Sequence, residues 1–126
     1  MEEWMENLYK SAYEKSFEIR TGSEKGLILY FKKMFLDLCN PILNINPIFV
    51  SAIPNDLPSQ YRIGKKAIKI ETIGNELVFK NDDELENILL KVQFEDEKAY
   101  VFDIMRRQLV EEDLKLLLKN SFEDSF

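Results

Sequence analysis

Hydrophobic positions recur at three- and four-residue spacing in the first third of the chain and at two-residue spacing further on. Trp4, Met5, Leu8, Tyr9, Ala12 and Tyr13 follow the first rhythm, with Glu3, Glu6, Lys10 and Glu14 on the other side. The chain is therefore expected to open with an amphipathic helix. The rhythm breaks at Arg20-Thr21-Gly22. Thr21 and Glu24 have the spacing of a capping box. The helix expected after them carries Leu27 to Phe31, Met34, Phe35, Leu36 and Leu38, with only Lys32, Lys33 and Asp37 interrupting its apolar surface. A helix apolar on nearly every side belongs inside a domain or inside a dimer.

All four prolines fall between Pro41 and Pro58 and separate this helical part from the rest of the chain. Ile48 to Ile53 reads as a strand, and its flanking prolines suit a sheet edge. Lys66 to Ile73 then alternates, with Ile68, Ile70 and Thr72 on one face and Lys69 and Glu71 on the other. Gly74-Asn75 supplies the two positions most tolerant of positive φ, and Glu76 to Lys80 returns. With a two-residue loop Thr72 faces Leu77 and Ile70 faces Phe79, so one side of this hairpin is consistently apolar. Asn81 and Glu84 have capping-box spacing, and Leu85, Ile88, Leu89 and Val92 have helical spacing, which predicts a short helix ending near Gln93. Glu95-Asp96-Glu97 reads as a polar turn. Lys98 to Met105 alternates as a strand, with a helix as the alternative, and Leu109 to Lys119 is the last helix. The fold expected is α+β: two N-terminal helices, a small mostly antiparallel sheet with a hairpin at 66–80, and two further helices, all in one domain over 1–126.

Composition narrows the chemistry. The 126 residues are 45% hydrophobic and 12% aromatic, enough to fill a core, so a disordered chain is excluded. There is no histidine, which removes the commonest general base, the commonest zinc ligand and every imidazole triad. Cys39 is the only thiol and lies at the end of an apolar helix, where a free cysteine packs as a core residue. Gly64-Lys65-Lys66 lacks the rest of a phosphate loop. No pair of acids or cofactor loop has a nameable catalytic role, so the expectation is no enzyme, no cofactor and no metal. Leu27 to Phe31, the longest apolar run, is far short of the roughly 20 residues a bilayer requires. With an acidic start and a single thiol, the expected setting is the cytoplasm, with no membrane partner.

Charge changes the picture most. Lys and Arg number 17 and Asp and Glu 23, a net charge of -6, so direct nucleic-acid binding is not expected. Asp82, Asp83, Glu84, Glu86, Glu95, Asp96 and Glu97 crowd one stretch whose only cation is Lys91. These seven are the candidate partner-binding residues, because negative potential of this density steers a basic protein. Their plainer role, shared with Glu111-Glu112-Asp113, is to complement the dipoles of helix first turns. Arg62, Lys65, Lys66 and Lys69 beside Tyr61, with Arg106 and Arg107, would be needed for a nucleic-acid face, and read more simply as solvated edge residues. The function expected is a non-enzymatic acidic protein-binding module, a stoichiometric inhibitor of a basic nucleic-acid-processing protein. Immunity proteins, antitoxins and phage-encoded anti-defence proteins share this profile of size and charge. The alternative is a homo-oligomeric accessory or chaperone-like structural subunit, a homodimer through the aromatic first helix.

Overall fold

The computed structural model describes residues 2–53, 57–82 and 86–126. The opening rhythm forms α1 (Glu3–Arg20) and α2 (Glu24–Ile45), and a 3-10 turn at Pro47–Phe49 leads into the sheet. Seven strands come next: β1 (Val50–Ile53), β2 (Ser59–Ile63), β3 (Lys66–Ile73), β4 (Glu76–Asn81), β5 (Ile88–Glu95), β6 (Lys98–Phe102) and β7 (Arg106–Gln108). Each pairs antiparallel with the next, in the order β1 to β7, and α3 (Glu111–Phe122) closes the fold. β1 is an edge strand, as its prolines suggest.

Alternation decides which sheet face is buried. Tyr61, Ile63, Ile68, Ile70, Leu77, Phe79, Val92, Ala99 and Val101 form one apolar face, which α2 covers with Phe31 and Phe35 and α3 covers with Leu114, Leu117, Leu118 and Phe122. The aromatic rings meet edge to face: Phe31 lies 5.1 Å from Tyr61 and 5.3 Å from Phe79, and Phe35 lies 5.0 Å from Tyr61. The β3–β4 hairpin has the expected register, Ile70 opposite Phe79 and Thr72 opposite Leu77, around Gly74 at φ +62°.

Three expectations need correction. Residues 88–95 are strand β5, not a helix, so the fold has three helices and a larger sheet than expected. Leu90, Val92 and Phe94 alternate with Lys91 and Gln93, and strands on both sides take up the backbone hydrogen bonds, with Leu77 opposite Val92 and Val92 opposite Val101. Glu84 and Leu85, part of the expected helix, lie outside the described residues. Second, Thr21 does not cap α2. Its hydroxyl donates back to the Phe17 carbonyl at 2.8 Å, and Ser23 is the cap, accepting from the Gly26 N–H at 3.1 Å. Third, α2 runs through Pro41 to Ile45, because Ile42 and Leu43 still pack on the core while Pro41 faces solvent.

Two glycines let backbone segments touch. A Cβ on Gly22 would sit 2.0 Å from the Glu97 carbonyl oxygen, so the elbow between α1 and α2 rests directly on the β5–β6 turn. Gly64, at φ +56°, would bring a Cβ within 2.4 Å of the Ser125 carbonyl, to which the neighbouring Lys65 N–H donates at 3.0 Å.

Candidate functional site

The inner side of α1 is held at few points. Phe17 is its one buried residue and meets the Tyr30 ring edge-on at 5.0 Å. The Tyr13 hydroxyl donates to Glu111 Oε2 at 2.5 Å, the Tyr30 hydroxyl donates to the same oxygen, and the Lys115 ammonium lies 2.9 Å from Oε1. The Arg20 guanidinium covers the Tyr30 ring at 4.5 Å. One carboxylate at the start of α3 thus ties together α1 and α2.

Electrostatics fix the protonation of this clasp. Burial alone would push Glu111 up, but the hydrogen bonds from Tyr13, Tyr30 and Lys115 outweigh it and bring the carboxyl down to about 2. Tyr30 is pushed above the ordinary tyrosine range, first by burial and then by its bond to Glu111. The ionised Glu111 carboxylate accepting from the protonated Tyr30 hydroxyl, with Tyr13 on the same oxygen, ties α1 and α2 to the start of α3. A cleft of about 380 Å³ beside it is lined by Tyr13, Arg20, Tyr30, Lys33 and Asp37. Among the described residues no cluster of three His, Cys, Asp or Glu could hold a metal ion, and no helix is long and apolar enough to cross a membrane.

The outer side of α1 carries exposed apolar side chains with Lys15 among them. Trp4 is 62% exposed, Leu8 55%, Tyr9 53% and Ile19 69%. At 100° per residue Leu8, Ala12 and Ile19 fall on the side opposite Phe17, so the stripe points away from the domain. These large side chains lie toward the two ends of the helix, with Ser11, Ala12, Lys15 and Ser16 between them.

The acidic candidates are not gathered into one surface. Asp82 and Glu86 flank the start of β5, whereas Glu95, Asp96 and Glu97 stand at its far end, separated by an eight-residue strand of roughly 25 Å. Asp83 and Glu84 lie outside the described residues. Several of the others are already paired. Asp82 accepts from Gln60, Glu86 lies 3.1 Å from Lys69 and 3.8 Å from Lys80, and Glu95 pairs with Arg106. Asp96 and Glu97 form the exposed β5–β6 turn, both at positive φ.

The basic group is dispersed as well. Tyr61 is fully buried and cannot stack on a base, and Lys69 pairs with Glu71 and Glu86. Arg107 makes two hydrogen bonds to the Asp113 carboxylate, at 2.9 and 2.6 Å, and Arg106 lies over the Tyr100 ring at 3.9 Å. The aromatic first helix stands out in the sequence, whereas the role of Glu111 as the clasp does not. Tyr13 and Tyr30 are 98 and 81 residues away from it, and no local pattern signals such a contact. No family model, curated protein or solved structure matches the chain.

Proposed function

We propose that this chain is a non-enzymatic protein-binding module that works through the outer face of α1. The observation that carries the reading is the exposure of Trp4, Leu8 and Ile19 on a helix whose opposite side is pinned to the domain by Phe17 and by the bond from Tyr13 to Glu111, with the exposed Tyr9 at the margin between the two sides. Trp and Tyr presented on a rigid element are the usual anchors of protein interfaces. Neither nucleic acid nor a bilayer suits a face flanked by Glu2, Glu3 and Glu6. An inhibitor of a basic protein draws its support from the net charge of -6. The homo-oligomeric subunit draws its support from the exposed side chains of α1.

A photo-crosslinking residue placed at Ser16, on the exposed stripe, tests the reading in cells that make the protein. The expected result is a covalent protein adduct from position 16 and none from Asn75, in the exposed β3–β4 turn. Absence of any adduct from position 16 would overturn the assignment of this face.

A further inference from the structure

We draw no further inference here: the strongest candidate, the exposed apolar patch of Phe102, Ile104 and Met105 at the turn between β6 and β7, is bordered by Arg106 and Arg107, which already pair with Glu95, Asp103 and Asp113, and nothing in the structure shows what covers it.

Discussion

Replacing Glu111 by Gln removes the charge of the clasp while keeping its shape, and the structure sets the size of the effect. An ordinary glutamate titrates near 4.5, and the hydroxyls of Tyr13 and Tyr30 with the Lys115 ammonium hold this one at about 2. That difference corresponds to roughly 3 kcal/mol of preference for the ionised form in the folded chain. Tyr13 is 58% exposed, so part of the interaction is screened by water, and about 2 kcal/mol is the working figure. Because the folded carboxyl is depressed, its contribution is fully present above the unfolded value and is lost as pH falls from about 4.5 toward about 2. Urea unfolding of wild type and Glu111→Gln is expected to show a constant gap of about 2 kcal/mol from pH 5 to 8, narrowing steadily below. Hydrogen exchange should localise the loss to α1, whose amides from Lys10 to Arg20 exchange faster once Tyr13 is released. Equal stability of the two proteins at pH 7, or a gap unchanged at pH 2, would refute the clasp.

Other substitutions separate strain from contact. Gly64→Ala meets both positive φ and the Ser125 carbonyl, so a loss of about 2–4 kcal/mol is expected in denaturant unfolding, whereas Gly74→Ala, in open space, should lose only about 1. Glu97→Gly relieves a left-handed residue in the two-residue β5–β6 turn and is expected to raise stability by about 0.5–1 kcal/mol, read as a higher melting temperature. Cys39 is buried in α2, and burial pushes its thiol up to about 11. Labelling by a thiol reagent at neutral pH should therefore follow global unfolding, and rapid labelling of the native protein would contradict the packing of α2.

The parts of the fold legible in the sequence are those where one rhythm stands alone. In the β3–β4 hairpin Ile68, Ile70 and Thr72 alternate with Lys69 and Glu71 ahead of Gly74-Asn75, so even its register can be written down. At Ile88 to Phe94 two rhythms coexist. Ile88, Leu89 and Val92 suit a helix, and Leu90, Val92 and Phe94 suit a strand. What decides between them is the pair of neighbours, β4 and β6, which the local sequence does not contain. The same limit governs the sites. Residues 82–97 look like one acidic cluster when written in a line, and an extended strand moves their two halves to opposite ends. Glu111 looks in sequence like an ordinary first-turn acid. Its importance comes from two tyrosines brought to it by folding. The aromatic stripe of α1 is visible as a helical face wider than one packing contact requires, and the structure shows which side of it the domain leaves uncovered.

Trp4 is the only tryptophan in the chain and sits on that uncovered side, so its fluorescence reports directly on whether the face is covered. The decisive measurement is its emission maximum over a dilution series of the purified protein, beside Leu8→Glu at each concentration. Wild-type emission is expected to lie to the blue at high concentration and to move to the solvent-exposed value on dilution. Leu8→Glu is expected to stay at the exposed value throughout. Emission from wild type that is solvent-exposed and unchanging across the whole series would contradict pairing through α1.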